Sequence, residues 1–511
     1  MHKTYRYLPL IIALWFTGCT DPWVDHYSTG ERSVDVKMWD TLQTMEAYSE
    51  FVKYMRLFRL DTMIGSFNTK TLFIPDNESF NEYLTGDTTG FGEMMRYHIT
   101  STLFNVRNVD EKRKLRTLSG KYALIENYDN IYYFDGIELT DYSPLYQDGK
   151  FYEIDRVAIP KPSLYQYIER KNQAIHGYIE MLDSAILDKE KSKPLGFNEE
   201  GQTIYDSVTT EYNIYEEEYF AISEEFRDFA ATLVIPGQEN YENALNDMAM
   251  DLRGNFVTYD DIPAEWQNEV LIPILLHKGT YGGLLDPGDF MKEKITNVRG
   301  DSIIIDFEID PNSRVVCSNG LVYDYSSFTI ADTLYRRNIM EGESLVDSIG
   351  FNRYSWNLRK VTVEGDKSFQ PVKQGVKSAS NDTIINVDFL NNYQHEYAIT
   401  FKIKHVFPQK FRLVWRTNYR TTGRYAIFVN GERILMGVVG YEEYDTFQLT
   451  GGFFSVLGYK LYPDEKGFCD VDGWVNNITD YGDVTITLKY LGPGGSSDNG
   501  LSMDYIALMP E

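Results

Sequence analysis

Two short stretches of this chain share one frame, and that frame limits the fold more than any other feature. Leu72-Phe73-Ile74-Pro75 and Leu233-Val234-Ile235-Pro236 both read Leu-x-Ile-Pro, and each is followed after four residues by an aromatic, Phe80 or Tyr241. An apolar run that stops at proline reads as a buried strand. Proline has no N–H to give to a ladder, and its fixed φ suits the first turn of a helix. Asp76 or Asn77 can cap that helix. A strand-to-helix turn that occurs twice implies two α/β units of one kind. Each is long enough to hold its own core, so the pair is not a solenoid.

Around the first copy, Leu42, Met45, Phe51, Val52 and Met55 recur at helical spacing and predict a helix over 38–60. Then come Tyr97-His98-Ile99, a Leu118-Ser119-Gly120 turn, strand-like runs at Tyr122–Asn127 and Ile131–Phe134, and a closing Ile154-Asp155-Arg156-Val157-Ala158-Ile159-Pro160. In this order the elements resemble a fasciclin domain, over residues 36–161. The resemblance implies a twisted β wedge flanked by helices, and an adhesion or interaction module without catalysis. It makes His98 a packing or hydrogen-bonding residue.

The second copy, over 162–334, is a divergent relative of the first. Leu164 to Leu187 has the spacing of one amphipathic helix, and 188–218 is polar and acidic. Leu275-Leu276-His277 stands where Tyr97-His98-Ile99 stood, and Asn319-Gly320-Leu321-Val322-Tyr323 matches the closing strand.

From 335 to 511 the pattern changes to alternating strands with turn residues between them, as in Phe411-Arg412-Leu413-Val414-Trp415, and Asn430-Gly431 is a hairpin signal. This predicts an antiparallel β-sandwich of jelly-roll type. The string Arg424-Tyr425-Ala426-Ile427-Phe428-Val429-Asn430-Gly431, with the ending Gly500 to Leu508, resembles carbohydrate-binding modules with a galactose-binding-like fold. That resemblance implies a sugar site built from aromatic rings, for which Trp415, Tyr419, Trp474 and Tyr481 are candidates. It also implies a structural calcium held by Asp504 with Glu341 and Glu343, since calcium takes six or more oxygen ligands.

The N-terminus has Lys3 and Arg6, then an apolar run from Leu8 to Phe16 that is too short for a permanent span. It ends at Phe16-Thr17-Gly18-Cys19, which resembles a bacterial lipobox. The resemblance implies a signal peptide over 1–18, lipid on Cys19 and a tether over 19–35, with the lipid as the only membrane attachment. Asp21 and Asp25 favour the outer face of an outer membrane. The remaining cysteines, Cys317 and Cys469, read as small buried hydrophobes.

A formal charge of −27 repels phosphate backbones and anionic lipid, so neither nucleic acid nor a bare bilayer is an expected partner. No HExxH, Gly-x-Ser-x-Gly, phosphate loop or dinucleotide fingerprint is present. The expected class is non-catalytic. The whole resembles accessory surface lipoproteins of TonB-dependent nutrient importers, with the importer and its substrate-binding lid lipoprotein as partners and a glycan or oligopeptide as ligand. The alternative is an adhesin for host matrix or another cell.

Overall fold

The computed structural model describes residues 33–511 apart from short internal stretches, the longest being 349–355 and 438–446. Cys19, the leader and Tyr419 lie outside the described residues. The chain divides into two compact units. One runs to Gly237 and includes Leu276–Ser326; the other joins Gln238–Leu275 to Ser327–Glu511.

In the first unit, the strand Lys70–Pro75 is buried along its whole length. It lies in a seven-stranded sheet between Ile99–Thr100 and Gly149–Ile154, and the sheet continues through Ile137–Tyr142, Ile131–Phe134 and Tyr122–Tyr128 to Lys112–Arg116. Its partner Gly149–Ile154 runs parallel, with Leu72 opposite Phe151. Alternate residues feed two cores. Leu72, Ile74 and Phe151 pack with the helical residues Phe51 and Met55, whereas Phe73, Tyr152 and Ile154 pack with the wedge residues Ile125 and Phe134. Burial on both faces is the usual state of parallel strands and accounts for the continuous apolar run. A Cβ on Gly149 would meet the Lys70 carbonyl oxygen at 2.0 Å, so only glycine opens the closing strand.

The expected helix over 38–60 is broken into Met38–Leu42, a short 3-10 turn at Glu46–Tyr48 and Ser49–Leu57. Asn77 sits in the break: its Nδ2 donates to Glu46 O (2.7 Å) and Ser49 Oγ, and its Oδ1 accepts the Glu50 amide. Asp76 caps the helix Asn77–Leu84 by accepting the Ser79 amide at 2.8 Å. The two capping candidates therefore serve two different helices.

The second copy repeats this sheet. Ala231–Val234 lies between Thr280–Gly282 and the parallel strand Gly320–Tyr323, with Leu233 opposite Val322. Gly320 repeats Gly149, since a Cβ there would stand 2.2 Å from Ala231 O. The register corrects one correspondence. Leu72 faces Ile99 and Leu233 faces Thr280, so Gly279, not His277, stands at the place of His98.

A feature common to both copies lies just outside the Leu-x-Ile-Pro frame. Thr71 Oγ1 accepts the Phe104 amide at 2.8 Å, and the Tyr152 hydroxyl donates to the Phe104 carbonyl at 3.0 Å. Thr232 Oγ1 accepts the Leu285 amide at 2.9 Å, and the Tyr323 hydroxyl donates to the Leu285 carbonyl at 3.0 Å. Both threonines are fully buried.

Leu164 to Leu187 is not one helix. Helices Leu164–Lys171 and Gln173–Met181 meet at Asn172, and Asp183–Leu187 is a strand. Asn172 is extended (φ −151°), caps the second helix through the Ile175 amide, and donates to Pro236 O at 3.0 Å. The polar stretch after it forms two ribbons, described below.

In the second unit one sheet orders Asn338–Glu341, Tyr505–Pro510, Phe411–Asn418, Phe468–Val475 and Met436–Gly437. A larger sheet is centred on Tyr397–Val406, Gly482–Gly492 and Gly423–Val429. A third carries Thr383–Phe389 beside Asn499–Met503. All their pairings are antiparallel, and one core gathers side chains from all three, including Trp415, Ile427, Val387 and Leu488. Asn430 and Gly431, both at positive φ, form the expected two-residue hairpin, with Val429 opposite Glu432. Cys317 and Cys469 are buried free thiols, and burial pushes Cys317 up to about 12 and Cys469 to about 11. Among the described residues no helix is long and apolar enough to cross a membrane.

Two consequences are testable. Thr71→Val keeps the volume but orphans the buried Phe104 amide, so chemical denaturation should register a loss of about 1–3 kcal/mol. His98 is wholly buried; its Nδ1–H donates to Met94 O and its Nε2 accepts the Ala158 amide, which fixes a neutral ring. Burial lowers it from 6.5 to about 4. The unfolded chain therefore binds a proton first on acidification. Stability present above pH 6.5 is lost as pH falls towards 4, by roughly 3 kcal/mol. Denaturation between pH 7 and 4 should show this slope in the native chain and a flatter one in His98→Gln.

Candidate functional site

Asp504 lies where the chain passes from Asn499–Met503 in one sheet to Tyr505–Pro510 in another. It is 1% exposed. Its carbonyl accepts the Gly342 amide at 2.7 Å and its amide donates to Arg416 O at 2.9 Å. A Cβ on Gly342 would meet Met503 O at 2.3 Å, so glycine lets this segment approach the crossing. Glu341 and Glu343 flank that glycine and are brought to the same edge.

The side chains there are incompletely satisfied. Asp504 Oδ1 accepts both the amide (3.0 Å) and the hydroxyl (2.8 Å) of Ser380, while the same hydroxyl lies 2.7 Å from Glu341 Oε2. One hydroxyl proton serves only one carboxylate at a time. Glu343 Oε1 accepts from Asn381 Nδ2 at 2.7 Å, but its Oε2 is buried with no hydrogen-bond partner. Burial raises the Glu341 carboxyl above its ordinary value; the Ser380 hydroxyl opposes this, and the charges of Glu343 and Asp504 add to it. On the other side, Arg416 Nε stands 3.2 Å from Asp504 Oδ2 and Nη1 2.8 Å from Asp470, while Nη2 pairs with Asp464. The guanidinium also lies 4.9 Å from the centre of the Phe468 ring.

This donor set fits a hard, oxygen-seeking cation: three carboxylates at one edge, one of them with an orphaned oxygen and two sharing a proton. Among the described residues no three metal-ligating side chains already converge; the Ser380 hydroxyl lies between Glu341 and Asp504, and Asn381 takes Glu343.

The aromatic candidates separate. Trp415 is fully buried and its indole N–H donates to Ser502 O at 3.1 Å, so the expectation of a sugar-facing ring is corrected to a core residue. Strand alternation explains this, since Phe411, Leu413 and Trp415 point inward together. Tyr481 is half-buried, hydrogen-bonds His405 Nδ1 at 2.7 Å and packs its ring on Phe407. Trp474 is half-buried on the outer face, directly opposite Arg412. That face also carries Tyr505 opposite Arg416, and Arg412 lies 3.9 Å from Asp472. Ser380, Asn381, Arg416 and Tyr505 were missed from sequence. Alternation alone placed Arg412 and Arg416 together on a polar face and was the available signal.

Residues 46–160 match the family model of the fasciclin domain. Among solved structures, a FAS1 domain pair from the insect cell adhesion molecule Fasciclin I is 12% identical, covers 56% of this chain and 98% of its own, and has a TM-score of 0.22. A family 35 carbohydrate binding module from Clostridium thermocellum is 11% identical (34% of this chain, 98% of its own, TM-score 0.20). CBM35 from Paenibacillus barcinonensis is 16% identical (34% and 98%, TM-score 0.19). No curated protein matches. At such TM-scores the structural likenesses carry no weight beside the strand orders given above.

Replacing Trp415 by Ala should cost about 3–5 kcal/mol, as for a buried aromatic, whereas Trp474→Ala should leave stability within about 1 kcal/mol. Paired denaturation curves decide this. Residues 46–160 thus form a fasciclin domain, 231–323 repeat its central sheet, and the C-terminal region is an antiparallel β-sandwich.

Proposed function

We propose that this chain is a non-catalytic binding protein, tethered at the outer surface through lipid on Cys19, whose sandwich holds a glycan beside an outer-membrane nutrient importer. The observation that carries the reading is the outer face of the five-stranded sheet. Trp474 and Tyr505 present rings there beside Arg412, Arg416, Asp470 and Asp472, in cross-strand register. Rings cover the C–H face of a sugar, and planar charged groups bind its hydroxyls. Asp464, Asp470 and Asp504 are paired to Arg416, and Asp472 lies 3.9 Å from Arg412.

Within this reading Glu341, Glu343 and Asp504 hold a structural calcium. The ion would neutralise their charge and pin the segment around Gly342 to the last strand. The fasciclin domain and its repeat serve as docking surface for the importer and its lid lipoprotein. An adhesin is the second reading, favoured by the fasciclin match over 46–160.

A glycan array with the purified chain tests the sandwich: a defined glycan class should bind, and Trp474→Ala should weaken it at least tenfold. An array that stays blank removes the glycan. Calcium at 100 times its dissociation constant should add about 2.7 kcal/mol. That is a thermal shift of about 5–10 °C over a chelator, absent in Glu343→Gln. Purification from detergent-solubilised membrane should bring the importer in stoichiometric yield; recovery alone favours the adhesin.

A further inference from the structure

The insertion between helix Gln173–Met181 and residue 214 forms an arm of two ribbons. Asp183–Leu187 pairs with Thr209–Asn213, and beyond it Lys193–Phe197 pairs with Thr203–Asp206. An isolated two-stranded ribbon buries too little to be secure in water, so such an arm invites a covering surface. All five residues of Lys193–Phe197 are exposed, Leu195 at 69% and Phe197 at 75%. Leu195 is the bulged, unpaired residue of this strand, so its side chain stands clear of the ladder beside that of Phe197. Ile186 and Val208 add apolar area, at 57% and 43% exposure. The root of the arm is polar instead: an open cavity of about 540 Å³ is lined by the carboxylates of Asp183, Glu211 and Glu216 together with Tyr212. Residues 183–218 carry ten carboxylates against three lysines.

We infer that this arm is a docking element for a protein that offers an apolar cleft rimmed by lysine and arginine. The charge selects the occupant. A second copy, itself at −27, would bring like charge against like, and an anionic bilayer is repelled in the same way. An apolar tip over an acidic root instead fits an apolar cleft with a basic rim, which places the complementary potential where the arm needs it. Strand addition is disfavoured, because Pro194 withholds a donor and the bulge at Leu195 distorts the same strand. Recognition therefore runs through the Leu195 and Phe197 side chains. The inference rests on the docking part of the reading above and is independent of glycan binding by the sandwich.

The test places the photo-crosslinker p-benzoylphenylalanine at Phe197 of the full-length chain in its native cells. The control carries it at Ile339, 41% exposed on the sandwich strand Asn338–Glu341. Illumination should give one heterologous protein adduct at 197 and none at 339, with a cross-linked peptide rich in lysine or arginine. Glu200→Lys with Glu211→Lys should cut the adduct at least tenfold while the circular dichroism stays unchanged. No adduct, an adduct with a second copy or with lipid, or a yield indifferent to charge reversal overturns the proposal. Failure on the glycan array leaves this result untouched, so the two readings fail separately.

Discussion

Two hydroxyls hold one residue by its amide and its carbonyl, and each repeat uses the same grip beside its central strands. The Thr71 and Tyr152 hydroxyls take the amide and the carbonyl of Phe104, and Thr232 and Tyr323 do the same for Leu285. The strands that carry the threonines and Tyr323 are buried along their length, and the segment beside them is buried at Phe104 and half-buried at Leu285. An irregular crossing there would otherwise leave two backbone groups unpaired, at about 1–3 kcal/mol each. Threonine is the smallest β-branched residue that keeps strand geometry and supplies an acceptor. Tyrosine reaches across from the neighbouring strand because Gly149 and Gly320 let the two backbones close up.

The first unit is further tied by charges that are mostly out of water. Asp135 is buried, accepts the Tyr97 hydroxyl and the Leu124 amide, and lies 3.6 Å from Lys161. Burial raises its carboxyl, and Lys161 is the largest opposing influence. Lys161 stands between Pro160 and Pro162 in what reads from sequence as a linker. Its ammonium also donates to Asp135 O, and Pro162 O accepts the Ser318 amide, so both sides of the join are anchored. Glu225 then collects Lys121 at 3.5 Å, the Ser318 hydroxyl and the Tyr122 amide, and Glu126 takes Arg314 at 3.3 Å. Desolvation offsets much of the attraction in such pairs. Their contribution is geometric, since an unpaired charge here would cost more than the pair gains.

The sequence carried the parts of the fold that depend on local chemistry. A proline after an apolar run, a glycine that opens a closing strand and an Asn-Gly turn each act through their own backbone, and each appears where expected. What was hidden depends on partners far along the chain. Thr71 and Thr232 look like ordinary strand residues until Phe104 and Leu285 are placed beside them. Asn172 reads as one polar position in a helical stripe, yet a bond to Pro236 O turns it into a break. Residues 188–218 read as polar because carboxylates and lysines outnumber the few apolar positions, which show no helical or strand period. Trp415 suits a sugar site by its ring chemistry, yet the alternation of its own strand points it inward with Phe411 and Leu413.

The same limit explains the sandwich edge. Arg416 is shared by Asp464, Asp470 and Asp504, and Glu341 and Glu343 stand beside Asp504 with no ion pair among the described residues. Five carboxylates against one guanidinium leave a deficit in positive charge that side-chain hydroxyls and amides only partly relieve. With 49 basic residues against 76 acidic ones, the chain has few lysines or arginines to spare for such an edge. Two sources of positive charge remain. One is a proton, towards which the raised Glu341 carboxyl already leans. The other is a bound cation, which would occupy the unpartnered Glu343 oxygen and release the Ser380 hydroxyl from serving two acceptors. A proton relieves one carboxylate, whereas a divalent ion relieves two and leaves Ser380 with one acceptor.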